Sequence, residues 1–202
     1  GAPVVRVDGA ALPDGSRGLH ITAGDSTIRG LSITGFNGWI AAGIFLEGGG
    51  ENLIEANYIG LTCDGQTVAG NYLGVYIKDS AENLVGGPDP GSRNVISGTD
   101  DDDNEQGDGG IFVSGADSID NVIKGNYVGT DATGMQPRLS DTGISIAAAP
   151  GTLIGGLESG AGNVVSGKVF GIDVGNPSPG TEIYGNLVGT DATGAAPLYW
   201  SP

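Results

Sequence analysis

The sequence holds one cysteine, one histidine and one methionine in 202 residues, and eight lysines and arginines against 24 acidic residues. Each shortage excludes something. A lone Cys63 cannot form an internal disulfide, so packing and backbone pairing must hold the fold, and cysteine usage is silent on redox compartment. A lone His20 excludes a histidine-based triad or a His-rich metal site built within the chain. The formal charge of −16 excludes a nucleic-acid or anionic-membrane surface, because both need clustered Lys and Arg. No run of about 18 apolar residues is present, so no membrane-spanning helix is expected. With no basic-then-apolar leader and Gly1 in place of Met, the chain reads as a mature or excised piece of a larger parent.

Glycine is what the sequence has in excess. Forty glycines make helix propensity poor throughout, while 38% hydrophobic residues set the chain apart from a disordered acidic tail. The glycines are periodic. A Gly-apolar-x-apolar unit opens at Gly18, Gly43, Gly74, Gly110, Gly143 and Gly171. After each comes a loop, an Asn/Thr/Ser-x-apolar unit, and a second short apolar unit usually opened by Asn. A longer register lies on top, since Asn57 to Asn126, Gly74 to Gly143, Val85 to Ile154 and Asn94 to Asn163 are each 69 residues apart.

Apolar residues alternate with others over four or five positions, the strand period of two, and helical spacing is not sustained anywhere. Three short strands per unit predict an all-β, single-stranded parallel β-helix of about six coils, two coils to each sequence repeat. Its first inner wall comprises Leu19, Ile21, Ile44, Leu46, Val75, Ile77, Ile111, Val113, Ile144, Ile146, Ile172 and Val174. Ile28, Ile54, Val85, Ile123, Ile154 and Ile183 form the second wall; Ile33, Ile59, Ile96, Val128, Val165 and Val188 form the third. Gly and Asn are expected to supply positive φ at the corners. Asn57, Asn94, Asn126, Asn163 and Asn186 recur at one corner and predict a structural amide ladder along the axis. A shorter row of Asn52, Asn83 and Asn121, continued by Thr152 and Thr181, reads the same way.

Several stretches carry a family resemblance: Ser26-Thr27-Ile28-Arg29-Gly30-Leu31, Arg93-Asn94-Val95-Ile96-Ser97-Gly98, Gly162 to Gly167, and Gly125 to Gly134 with its copy at Gly185 to Gly194. Over residues 3–198 the chain resembles the right-handed parallel β-helix repeat regions of large secreted or surface bacterial proteins, within the pectate-lyase-like superfamily. The resemblance implies a right-handed coil, an opening strand or cap over residues 1–17, a six-coil body over 18–198, and a tail or boundary at 199–202. It also implies a secreted or cell-surface location, and a scaffold on which unrelated functions are placed.

Candidate chemistry sits on the outward side. Phe45, Tyr76 and Phe112 fall in one outward column between His20 and Ser145, an aromatic stripe able to face a glycan or a partner, or to stabilise the sheet by cross-strand stacking. Asp131 and Asp191, in the two Gly-Thr-Asp-Ala-Thr-Gly loops, and the acidic run Asp100, Asp101, Asp102, Asp103 with Asp108 are the candidate ligands of Ca²⁺, the one cofactor the sequence suggests. The loops read first as tight turns in which Asp and Thr bond nearby N–H groups, and the acidic run reads first as a solvated loop. Lys78, Lys124, Arg29 and Arg93 are the candidate bases for acting on an acidic polysaccharide, but they fall in different columns, and Lys78 is matched one coil away by Glu47. Asp173 is the one carboxylate at the first outward column, without a neighbour to share acid and base roles.

The leading expectation is a non-catalytic extracellular structural or adhesive module. It associates with itself in fibres or with a larger parent, or binds surface glycans. The alternative is a polysaccharide-active lyase or hydrolase, or a fragment of one. Oily outward columns, such as Tyr58, Val95, Tyr127, Val164 and Leu187, are expected to be covered by the inserts at 60–73, 99–109 and 129–142 or by another chain.

Overall fold

A computed structural model describes residues 1–99, 109–138, 140–175 and 177–198, and among these the chain builds strands and no helix. Asp100, Asp101, Asp102, Asp103, Asp108 and residues 199–202 lie outside the described residues. The strands in chain order are β1 Val5–Asp8, β2 Leu19–Ile21, β3 Thr27–Arg29, β4 Leu31–Thr34, β5 Ala42–Glu47, β6 Leu53–Glu55, β7 Tyr58–Ile59, β8 Leu73–Lys78, β9 Leu84–Gly86, β10 Val95–Ile96, β11 Gly109–Ser114, β12 Val122–Lys124, β13 Tyr127–Val128, β14 Thr142–Ala147, β15 Leu153–Gly155, β16 Val164–Val165, β17 Phe170–Val174, β18 Glu182–Tyr184 and β19 Leu187–Val188.

Every third strand stacks on the last. The three parallel sheets run β2-β5-β8-β11-β14-β17, β3-β6-β9-β12-β15-β18 and β1-β4-β7-β10-β13-β16-β19, which is a parallel β-helix of about six coils preceded by one extra strand. The register places Leu19, Ile44, Val75, Ile111, Ile144 and Ile172 directly over one another. The second and third walls stack likewise, through Ile54 on Val85 and Ile59 on Ile96. In the middle coils these side chains are fully buried. In the last coil Ile183 and Val188 keep the inward register but are 47% and 48% exposed, because no further coil covers them among the described residues.

The glycines that open the first-wall units answer to space. Gly43, Gly74, Gly110 and Gly143 are not in the left-handed region, whereas the glycines at corners between strands, such as Gly30, Gly60, Gly125 and Gly185, are, as expected. A Cβ on any of them would strike the carbonyl of the next glycine in the column and the third-wall side chain of its own coil. For Gly43 these are Gly74 O and Ile59, for Gly74 Gly110 O and Ile96, and for Gly143 Gly171 O and Val165. Only glycine lets the third wall tuck its β-branched residue into this corner.

The corner asparagines do depart from expectation. None of them has positive φ; the residue just before does at Glu51, Ala56, Glu82, Asp120, Gly125 and Gly185, but not at Arg93 or Gly162, which precede Asn94 and Asn163. With or without that left-handed step the Asn side chain turns into the coil. There Asn57, Asn94, Asn126 and Asn163 each donate from Nδ2 to the Oδ1 of the next, ending on Asn186. The same amides donate to Ile28, Ile54, Val85 and Ile123 carbonyls, and their Oδ1 atoms also accept backbone N–H groups. The shorter row runs Asn52 to Asn83 to Asn121 and stops, because Thr152 and Thr181 donate to Ala149 O and Ser178 O in their own turns instead of continuing it. Asn71, in neither row, is buried and links Phe36 N–H to Ile33 O where the chain leaves β4.

Candidate functional site

Outward-facing side chains also pair along the axis. His20, Phe45, Tyr76 and Phe112 stack with ring centroids 4.9, 4.9 and 5.1 Å apart, close to the strand spacing of about 4.8 Å. The column is largely closed to solvent. Phe45 is 1% exposed, with the Arg17 guanidinium 4.1 Å above its ring, and Tyr76 is 9% exposed and hydrogen-bonded through its hydroxyl to Ser114. Phe112 is half-buried and lines a cavity of about 140 Å³ with Gly109, Thr142 and Ser145. The stripe therefore presents one ring to a partner, where the sequence suggested three. Arg17 lies ahead of the first repeat unit, so the repeat pattern gave no sign that it covers Phe45.

Most outward cations are paired. Glu47 bridges two coils, accepting from His20 Nε2 at 3.1 Å and from Lys78 Nζ at 3.1 Å. The Lys78 ammonium is the main cause holding the Glu47 carboxyl below its usual range, and Glu47 raises Lys78 in return. Lys124 pairs with Glu158 at 3.0 Å, Lys168 with Asp141 at 3.6 Å, and Arg29 with Glu55. Three of the four candidate bases are thus tied to a carboxylate, and the fourth, Arg93, lies over the Tyr127 ring. Asp173 sits one coil beyond Ser145 in the aromatic column.

The loops after β7, β13 and β19 fold back as hooks. Each closes on itself by a bridge seven residues along, at Leu61 to Val68, Thr130 to Pro137 and Thr190 to Pro197. They stand on alternate coils and meet over the coil between. Ala132 N–H donates to Gly65 O, Ala192 N–H to Gly134 O, and Arg138 Nε to Gln66 O. Val95 and Val164, on the outward side of the intervening coils, are buried at 2% and 5% exposure. The inserts at 60–73 and 129–142 therefore cover much of the oily third-wall column.

Asp131 and Asp191 are the turn-makers of their hooks. Asp131 Oδ1 accepts from Thr133 Oγ1 and from the N–H groups of Thr133, Met135 and Gln136, and Asp191 repeats the pattern with Thr193, Ala195 and Ala196. In the first hook the partners trade places. Asp64 stands where the others have Thr, Thr62 stands where they have Asp, and the Thr62 to Asp64 bond survives at 2.8 Å. This hidden equivalence is why the first loop looks degenerate in sequence. Among the described residues no three His, Cys, Asp or Glu side chains converge as a metal site.

Asp64 and Asp191 set the acid limit of their hooks. The Thr67 hydroxyl foremost, then the N–H groups of Thr67 and Gln66 and the Thr62 hydroxyl, hold Asp64 far below the ordinary carboxylate range. Asp191 is lowered chiefly by the Thr193 hydroxyl, with burial opposing. A carboxyl depressed in the folded state stabilises fully above its unfolded pKa of about 3.9 and loses that contribution as pH falls through the folded value. Thermal midpoints followed by circular dichroism should be level from pH 7 to about 4.5 and fall below about pH 4. Asp64→Asn should flatten part of that fall, and a decline already complete by pH 5 would remove the hooks from the explanation.

The fold and its axial pairings define a solenoid repeat protein of the parallel β-helix class. No family model, no curated protein and no solved structure matches the chain. No helix among the described residues is long and apolar enough to cross a membrane.

Proposed function

We propose that the chain is a non-catalytic structural or adhesive module of a secreted or cell-surface protein, built as a right-handed coil of the pectate-lyase-like superfamily. The handedness has general support, since parallel crossover connections are right-handed in about 98% of cases. The observation that carries the functional reading is the direction in which polar groups are used. Inner amides, outward ion pairs, stacked rings and hooks all bond from coil to coil, so polar side chains brace the axis and few are left to converge on a substrate. Such bracing suits a stiff spacer. Self-association, or docking of a surface glycan at the free Phe112 ring, would be its means of attachment.

Electron microscopy of the purified protein alongside sedimentation velocity tests this reading. Rods or rod-built fibres, with no new reducing ends or unsaturated sugars when acidic polysaccharide is added, are the expected result. Turnover of such a polysaccharide by a dispersed monomer would replace the structural reading with the enzymatic one.

A further inference from the structure

The corner before the long amide ladder carries one residue that the repeat does not call for. The position preceding each ladder Asn is Ala56, Arg93, Gly125, Gly162 and Gly185 in successive coils, so four of five are glycine or alanine. The 69-residue register makes the contrast sharper, because Tyr58 maps to Tyr127 and Val95 to Val164, while Arg93 maps to Gly162. The molecule itself demonstrates that this corner closes without an arginine.

Arg93 is held in a definite pose. Its guanidinium lies 4.0 Å over the Tyr127 ring, and its Nε donates to Gly125 O at 3.1 Å. Those contacts fix the plane and use Nε, and neither Nη has a protein partner among the described residues. Arg93 also has no carboxylate partner there, although the chain has three acidic residues for every basic one. Arg6, Arg29, Lys78, Lys124 and Lys168 each have one, while Arg17 lies over Phe45 and Arg138 donates to the Gln66 and Pro137 carbonyls. A cavity of about 240 Å³ opens beside it, lined among others by Tyr58, Pro90, Gly91, Arg93, Val95 and Ala132. Gly1, Ala2 and Ala56 complete its walls with the Tyr58 ring, Pro90 and the tip of the second hook, and Arg93 is the one charged side chain among them.

We propose that this cavity is a binding site for a small organic carboxylate with an apolar body, the carboxylate forked by the two Nη groups of Arg93 and the body seated against Tyr58, Pro90 and Ala132. A planar fork matches a carboxylate, and prior stacking on Tyr127 reduces the entropy lost on binding. The Arg93 fork beside the Tyr58 ring, Pro90 and Ala132 suits a carboxylate with a compact apolar body. A doubly charged phosphate would meet the overall −16 and the nearby Glu55, which Arg29 holds while that arginine also reaches Gly91 O at 3.3 Å. The site is separate from the amide ladder and the outward ion pairs, though it borders the hook contact at Ala132, and its test reads ligand binding and not the shape of the rod.

Titration of the ¹⁵N-labelled protein with sodium benzoate, with sodium chloride and inorganic phosphate as separate arms, tests the site by amide shifts at Gly91, Val95 and Ala132. Saturable shifts with benzoate are expected, weakened at least tenfold in Arg93→Gly, the substitution already present at Gly162. Arg93→Lys keeps the charge, loses the fork and should fall between the two; it carries the test should the glycine variant fail to fold. Absence of saturation with benzoate, equal affinity in the variants, or tighter binding of phosphate at the same amides would each overturn the assignment.

Discussion

Gly74→Ala is expected to lower stability by about 3 kcal/mol or more, although it adds a single methyl group to a strand in the middle of the protein. The new Cβ would press on the Gly110 carbonyl and on Ile96 Cγ2, and the carbonyl is backbone that cannot move without breaking the register of the next coil. For a chain of this size that cost corresponds to a fall in Tm of roughly 6 to 12 °C. Gly30→Ala is the control. Gly30 has φ of +74° and nothing within 4 Å of a would-be Cβ, so it should cost about 1 kcal/mol from backbone strain alone. Thermal and urea unfolding of the two variants distinguish the causes: equal losses would mean that conformational freedom, and not space, fixes the glycine column.

Asn126→Leu should cost about 4 kcal/mol, and the same change at Asn186 about 1 kcal/mol. Asn126 is fully buried. Its Oδ1 accepts from both the backbone N–H and the Nδ2 of Asn94, while its Nδ2 donates to Asn163 Oδ1 and Val85 O. Leucine would fill the space yet leave the Asn94 N–H and the Val85 carbonyl without partners in the dry interior, each costing about 1–3 kcal/mol. At Asn186 the ladder ends on a half-buried residue, and water can take up what leucine leaves. Denaturation midpoints falling equally at both positions would show that the rungs do not act as a chain.

The inner walls were legible in sequence because a strand period of two and a recurring glycine are local signals, and stacking in register follows once three strands close a coil. The long ladder was legible for the same reason, since Asn57, Asn94, Asn126, Asn163 and Asn186 hold one place relative to the walls. What escaped depends on contacts between coils or on chemistry that permits exchange. The first hook hides its kinship because Thr62 and Asp64 swap the roles of Asp131 and Thr133, although the seven-residue spacing from Leu61 to Val68 equals that from Thr130 to Pro137 and could have marked it. Closure of the aromatic stripe depends on Arg17 reaching Phe45 from outside the repeats. Thr152 stands in for Asn121 in alignment, but its shorter side chain reaches only Ala149 O in its own turn.

Hooks on alternate coils that clasp over the coil between give the protein a natural unit of length. Splicing in or excising a pair of coils would return every clasp to a mate two storeys away, whereas a single coil would leave a hook reaching across the wrong distance. Lineages that lengthen or shorten such a rod are accordingly expected to do so in even steps, and designers who wish to set its span should cut and join by the 69-residue pair.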